Sequence, residues 1–278
     1  MTTPGSTELL RLAQDAALAA GELAARRRAE GVQIAASKSS PEDIVTKADR
    51  ETETLIRRLL AAARPDDGFF GEESEATPGT SGLTWVVDPI DGTVNYLYRI
   101  PAWAVSIAVV EGDPDPATWR TLAGAVRNPS GDELFSASVG AGAWLGESRL
   151  RVPTAAPVPL ALLGTGFSYR ADERLRQADV VRGLIGRVRD IRRIGAASLD
   201  LCSVAAGRLD LYYERGLKPW DHAAGALVAR EAGARVGGFG ADREGIDLVI
   251  AGAPDLYSAL EPILADLFGE FMDGDRRP

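Results

Sequence analysis

A chain of 278 residues is long enough to bury a sizeable core, as one large domain or as two lobes. With 45% hydrophobic and 26% charged residues it has the composition of a folded protein and not of a disordered one. A formal net charge of −9 argues against general affinity for nucleic acid or anionic membrane, so a phosphate-bearing ligand would need bound metal ions to reverse the local sign.

Residues Thr7 to Arg28 place Leu9, Leu12, Ala13, Ala16, Ala20, Leu23 and Ala24 at helical spacing, and Arg26-Arg27-Arg28 reads as a solvated helix terminus. Ala35 to Glu42, rich in Ser and carrying Lys38, reads as a loop, either a connector or a flap. A second helix is predicted over Asp43 to Ala63. On it Thr46, Asp49 and Glu53 share a stripe apart from the apolar one, and Asp49 taken alone reads as a solvated charge. Gly68 to Gly71 is a short strand leading into Glu72. Val86 and Val87 end another, after which Asp88 and Asp91 bracket a Pro-Ile pair and the chain turns at Gly92-Thr93.

Strands are predicted over Trp103–Val110, Thr121–Val126 and Glu133–Ser138, with hairpin punctuation at Asn128-Pro-Ser-Gly131. The glycines of Gly140 to Gly146 lack the spacing and the following helix of a dinucleotide site. Three prolines between Pro153 and Pro159 mark the expected boundary between an N-terminal lobe, 1–152, and a C-terminal lobe, 153–278. Beyond it the pattern predicts a strand at Leu160–Gly164, a helix at Asp172–Arg189, a strand at Ile191–Ile194 and a small-residue helix at Ala196–Ala206. The strand Leu209–Tyr213 delivers Glu214, Asp221 stands at the N-cap of a helix His222–Ala232, and a strand Ile246–Ala251 precedes a last helix Leu256–Phe268.

The single cysteine, Cys202, excludes an intramolecular disulfide and a thiolate zinc cluster, and reads as a buried structural thiol. His222, the sole histidine, has no dyad or metal-ligand spacing around it and reads as structural or peripheral. There is no charged-then-apolar leader and no run of about 18 apolar residues, so a cytoplasmic protein is expected.

Glu72, Asp88, Asp91 and Asp221 each have a plain reading as cap, turn or surface charge. Together, all four are predicted at strand ends or helix starts, where α/β architectures place their sites. Such an oxygen-rich set suits Mg²⁺, and two ions about 3.5–4 Å apart would activate a water and stabilise the leaving oxygen of an in-line displacement.

At this point the chain resembles the Mg²⁺-dependent, lithium-sensitive inositol monophosphatase family. The motifs that carry the resemblance are Asp43-Ile-Val-Thr46 with Asp49, Gly71-Glu-Glu-Ser74, Asp88-Pro-Ile-Asp-Gly-Thr93 with Asn95, and Trp220-Asp221 with Ala224-Gly225. The resemblance implies that Glu72, Asp88 and the Ile90 carbonyl hold a first metal, Asp88, Asp91 and Asp221 a second, and Glu72 a weaker third through waters. It also implies that Thr93, with Glu72 or Asp49, orients the attacking water, that the Gly92 and Thr93 amides grip the phosphate, and that Lys38 lies on a flap over the metals. Polyol contacts fall to Asp91, the Ala197 backbone, Glu214 and Asp221. Tyr98 stands where many members carry His, and Val94 where histidinol-phosphate enzymes often show Lys. Leu163-Gly-Thr-Gly-Phe167 and Arg192 to Cys202 look most like actinobacterial inositol-1-monophosphatases.

The implied fold is a layered α-β-α-β-α sandwich (an α/β class with two α+β lobes), forming a homodimer with the site between lobes. The implied reaction is hydrolysis of myo-inositol 1-phosphate. The alternatives are histidinol phosphate, fructose 1,6-bisphosphate or a 3′-phosphonucleotide as substrate, or a regulatory binding protein associated with the transcription machinery. Direct nucleic-acid or membrane binding is not expected.

Overall fold

The computed structural model describes residues 5–32, 34–37, 44–154 and 156–274. Helix α1 (Ser6–Glu30) leads to a short antiparallel pair, β1 (Ile34–Ser37) and β2 (Ile44–Thr46), then α2 (Lys47–Ala63), β3 (Gly68–Gly71), β4 (Leu83–Asp91), α3 (Thr93–Leu97), β5 (Ala104–Glu111), β6 (Arg120–Asn128), β7 (Glu133–Ser138), β8 (Gly142–Leu145) and β9 (Ser148–Arg149). A short tight helix, Val158–Leu160, precedes β10 (Leu162–Thr165), α4 (Ala171–Leu184), β11 (Asp190–Arg192), α5 (Ala197–Ala205), β12 (Leu211–Glu214), α6 (Pro219–Glu231), β13 (Arg235–Gly237), β14 (Val249–Gly252) and α7 (Pro254–Gly274).

One sheet runs β3-β4-β5-β6-β7-β8-β9, antiparallel except for β3 beside β4. The other runs β11-β10-β12-β14-β13, with β10 parallel to β11 and β12 and the rest antiparallel. Period-two alternation gives each sheet two apolar faces. On the larger sheet Trp85, Val87, Ile107 and Ala125 pack beneath α1 and α2, while Val86, Ala108 and Val126 pack against Leu199, Cys202, Ala224 and Val228 of α5 and α6. The opposite sides of those two helices, through Leu201, Val204 and Ala226, meet Tyr212, Val249 and Ala251 of the smaller sheet, whose far face (Leu211, Ile250) is covered by Val180, Leu260 and Leu264 of α4 and α7. The result is the expected α-β-α-β-α sandwich, with α5 and α6 as its central layer.

That layer is close-packed because its residues are small. A Cβ on Gly124 of β6 would stand 3.1 Å from both Cα and Cβ of Ala224, so helix and sheet meet with no side chain between them at that point.

Two local expectations are corrected, and one strand is additional to them. The predicted second helix starts at Lys47, because Ile44–Thr46 pair with Ile34–Ser37, a segment largely assigned to loop. The predicted helix Asp172–Arg189 ends at Leu184, ahead of Gly186. Strand β13, only three residues long, has no apolar run to mark it. Among the described residues no helix is long and apolar enough to cross a membrane.

Candidate active site

In a regular strand, residues 88 and 91 would face opposite sides of the sheet. The ladder between β4 and β5 pairs Asp88 with Ser106 and Asp91 with Ala104, so three steps on one strand are matched by two on the other. This one-residue bulge returns Asp91 to the same face as Asp88. That face is the one covered by the central helices. Within the bulge Ile90 N–H donates to Asp88 Oδ1 at 3.0 Å, and the Thr93 hydroxyl reaches the Ile90 carbonyl at 3.0 Å.

Four chain segments bring the remaining groups to this point. Asp91 Oδ2 accepts the Ser198 N–H at 2.8 Å and the Ser198 hydroxyl at 2.5 Å, capping α5, whose own N-cap is an alanine. Asp221 Oδ2 accepts the Lys218 N–H at 2.6 Å. Asp221 is therefore the third residue of α6, not its N-cap, because Pro219 and Trp220 already belong to the helix. Trp220 packs edge-to-face on Phe70 with ring centroids 5.2 Å apart, and its carbonyl accepts the Ser106 hydroxyl at 3.3 Å. These contacts bring the start of α6 up to β3 and Glu72.

Asp49 corrects the solvated reading: it is fully buried at the start of α2. Its Oδ2 accepts the Thr46 N–H at 2.8 Å and the Thr46 hydroxyl in a capping box, while its Oδ1 lies 3.3 Å from the Thr93 hydroxyl. Thr93 opens α3 after Gly92, which adopts φ 89°. The first N–H groups of a helix have no acceptor inside it, so this turn presents donors.

The electrostatics follow from crowding of like charges. Burial, then Glu72, Asp91 and Asp221, push the Asp88 carboxyl well above its usual range, and Asp88 lies within hydrogen-bonding reach of Glu72. Burial, then Glu72 and Asp91, do the same to Asp221. Asp91 is raised to about 6 by burial, opposed by its bonds from Ser198. Among the described residues no three Asp, Glu, His or Cys side chains already close on one point as a finished metal cage. One oxygen each of Asp88, Asp91 and Asp221 is engaged by a backbone N–H. The donor set is nevertheless all oxygen, anionic and destabilised by its own repulsion, which is the chemistry of a seat for hard divalent cations.

Of the residues expected to contact the polyol, Ala197 opens α5 and Glu214 ends β12. The Tyr212 hydroxyl donates to Glu214 Oε2 at 2.7 Å, and burial raises the Glu214 carboxyl to about 7. Lys38 lies outside the described residues. His222 is fully buried beside Trp119, and burial lowers its imidazole to about 4, in keeping with a structural role. Cys202 is buried and its thiol is pushed up by that burial.

Several supporting roles, of residues otherwise noted in the sequence, come only from the structure. Buried Glu53 accepts the Glu73 N–H at 2.8 Å and the Ser74 hydroxyl, holding the turn that carries Glu72. Its carboxyl lies where a Cβ on Gly71 would stand, so that glycine is required. The Asn95 amide donates to Ala102 O at 2.7 Å and Ile194 O at 2.8 Å, tying α3 to the approach to α5. Arg28, read as part of a solvated terminus, donates to the carbonyls of Asn95, Tyr96 and Ile100 at 2.8–3.1 Å. The position of Glu53 on the Thr46–Asp49 stripe was its only sequence signal; Arg28 had none.

The sequence matches the model of the inositol monophosphatase family over residues 6–265. It is 46% identical over 258 residues to the inositol-1-monophosphatase of Mycobacterium bovis, covering 85% of this chain and 87% of that one. It is 38% identical over 274 residues to the Nus factor SuhB of Escherichia coli K12, covering 97% and 99%. Among solved structures, the extragenic suppressor protein SuhB from Bartonella henselae superposes with a TM-score of 0.84 at 36% identity, over 92% of this chain and 98% of that one.

Proposed function

Because this chain belongs to the inositol monophosphatase family and is a phosphatase, we propose that it hydrolyses a small phosphorylated polyol, myo-inositol 1-phosphate above others, with Mg²⁺ as its cofactor. The observation that carries this reading is the bulge that turns Asp88 and Asp91 to one face, where the start of α6 brings Asp221. Glu72, Asp88, the Ile90 carbonyl, Asp91 and Asp221 are the residues that would hold the ions. Bound there, the cations would supply positive charge for the phosphate and acidify a water.

The chain's own groups account for the rest of the chemistry. Thr93, within 3.3 Å of Asp49 Oδ1, holds a hydroxyl beside a buried carboxylate, so a proton can be passed from an incoming water through Thr93 to Asp49. The turn at Gly92 and Thr93 offers its amides to phosphate oxygens. Glu214 and the start of α5 at Ala197 face the leaving polyol, where paired donors and acceptors select for hydroxyl groups. The inositol-1-monophosphatase named among the relatives supports inositol over histidinol phosphate, as does Val94 in place of lysine.

Phosphate release from a panel of phosphoesters, with Mg²⁺, with a chelator and with added Li⁺, tests this reading. The expected result is hydrolysis of myo-inositol 1-phosphate that chelation abolishes and Li⁺ inhibits. Turnover unaffected by chelation would overturn the mechanism, and preference for histidinol phosphate would overturn the substrate.

A further inference from the structure

Helix α6 starts at the carboxylate cluster with Asp221, and its last residues, Arg230 and Glu231, line a second cavity. This cavity, of about 680 Å³, is walled by the entry to β6, the end of α6, β13 with the loop that follows it, and Tyr257 of α7. It shares no residue with the carboxylate site. Its volume lies in the range of small-molecule sites. Four arginines, Arg120, Arg230, Arg235 and Arg243, line it, in a chain whose formal net charge is −9.

Three of these guanidinium groups are tied to neutral partners. Arg243 Nη1 donates to the Trp119 carbonyl at 2.7 Å, and Arg230 Nη2 reaches the Val236 carbonyl at 3.4 Å. Arg235 Nη2 donates to Gly240 O at 2.9 Å, and its guanidinium lies 3.9 Å from the centre of the Tyr257 ring. The loop that carries Arg243 is tight: Gly238 N–H donates to Asp242 O at 2.9 Å, and a Cβ on Gly237 would stand 3.0 Å from the same oxygen. Most acids in the wall are committed. The two Glu231 oxygens accept the Gly140 and Gly142 N–H groups at 2.8 and 2.9 Å, and buried Glu244 pairs with Arg230, which leaves exposed Asp242. Arg120 and Arg235 meet Glu111 and Glu261 only at 3.6 and 3.4 Å. Arg243 has no carboxylate partner among the described residues, and its Nε and Nη2 have no acceptor there.

We propose that this cavity is a second binding site, for a small polyanion bearing phosphate or carboxylate groups, separate from the site of hydrolysis. Like charges gathered around one cavity repel one another, and a bound anion removes that repulsion. A guanidinium fork matches two oxygens of a phosphate or carboxylate at once, and the Nε–Nη2 edge of Arg243 offers such a pair. Because Arg230, Arg235 and Arg243 are already tied to backbone carbonyls, little side-chain freedom is lost on binding. The inference goes beyond the phosphatase reading and does not rest on it, since no member of the carboxylate cluster takes part.

Isothermal titration calorimetry on the full chain tests this, with pyrophosphate and with citrate as probes. Divalent metal is left out, so that the carboxylate cluster repels anions and binding reports on the arginine cavity. Saturable binding of at least one probe is expected; binding of pyrophosphate alone assigns a phosphate ligand, and of citrate alone a carboxylate one. Arg243→Ala should weaken that binding at least about tenfold. Arg182→Ala, a change of an exposed arginine on α4 away from the cavity, should leave it within about twofold of wild type. With Mg²⁺ restored, Arg243→Ala should keep kcat and KM for phosphomonoester hydrolysis within about twofold of wild type, because it touches no group of the carboxylate site. No saturable binding of either probe, or equal weakening by Arg243→Ala and Arg182→Ala, would overturn the proposal. If Arg243→Ala does not fold, Arg120→Ala, at a side chain 56% exposed, takes its place and the same comparison with Arg182→Ala decides. A wild type that binds a probe but releases no phosphate from any ester overturns the phosphatase reading alone; one that hydrolyses esters but binds neither probe overturns this inference alone.

Discussion

The Asp91 carboxylate holds the Ser198 N–H at 2.8 Å and the Ser198 hydroxyl at 2.5 Å, so one acid both faces the cluster at the end of β4 and caps the helix that approaches from the other sheet. Asp91→Asn keeps an oxygen for Ser198 but removes the charge. Turnover should fall by roughly 10²–10³ or more while far-ultraviolet circular dichroism and the urea midpoint stay near wild type. Near-normal turnover would show that Asp91 has been misplaced in the reaction. Ser198→Ala removes only the hydroxyl bond and should cost about 1 kcal/mol in urea unfolding.

Thr93 separates proton handling from binding. Thr93→Ala should lower kcat by about 10²-fold with little change in KM, and Thr93→Ser should recover most of it, because only the hydroxyl near Asp49 is at issue. A Thr93→Ser enzyme as slow as Thr93→Ala would point to the methyl group and to packing.

The metal-free protein should become less stable as pH rises through the weakly acid range. Glu214 has an ordinary pKa of 4.5 that burial raises to about 7, so the folded state binds this proton more tightly than the unfolded chain. The associated stability is complete below pH 4.5 and is lost as pH climbs through 7, and Asp91, raised to about 6, acts in the same direction. After discounting for partial exposure, the Glu214 share is on the order of 2 kcal/mol. Chelator-treated protein melted at a series of pH values should show this slope, and Glu214→Gln should flatten it; an unchanged slope in that variant would assign the effect elsewhere.

Arg28 lies behind the site, not in it. Arg28→Met keeps the aliphatic stem but leaves three carbonyls without their charged donor. A loss of about 2–3 kcal/mol is expected in urea unfolding, together with a lower kcat as α3 loosens. No loss of stability would restore the reading of this arginine as a solvated helix end.

Much of this site can be read in the one-dimensional pattern, and the exceptions share a cause. The period-two runs of β4 to β7 and the helical spacing of α1 follow from local alternation, so their positions agree with expectation to within a few residues. The start of α2 does not, because Ile44–Thr46 gain their hydrogen bonds from β1, and a propensity reading has no access to a partner strand. Asp49 read as solvated for the same reason: the elements that bury it are assembled from elsewhere in the chain.

By itself the sequence determined the residue types of the cluster, the turn chemistry of Asp88-Pro-Ile-Asp-Gly-Thr93, and an acidic chain that calls for bound cations before it can hold a phosphate. Residues 88 and 91 differ by an odd number of steps, so nothing in their spacing shows them on one face. Only the pairing of β4 with β5, which inserts a bulge between them, decides that. Tertiary structure likewise decided that Asp221, at the third position of α6, arrives by way of the Phe70–Trp220 contact. Each of these depends on contacts between segments far apart in sequence, which local propensity cannot encode.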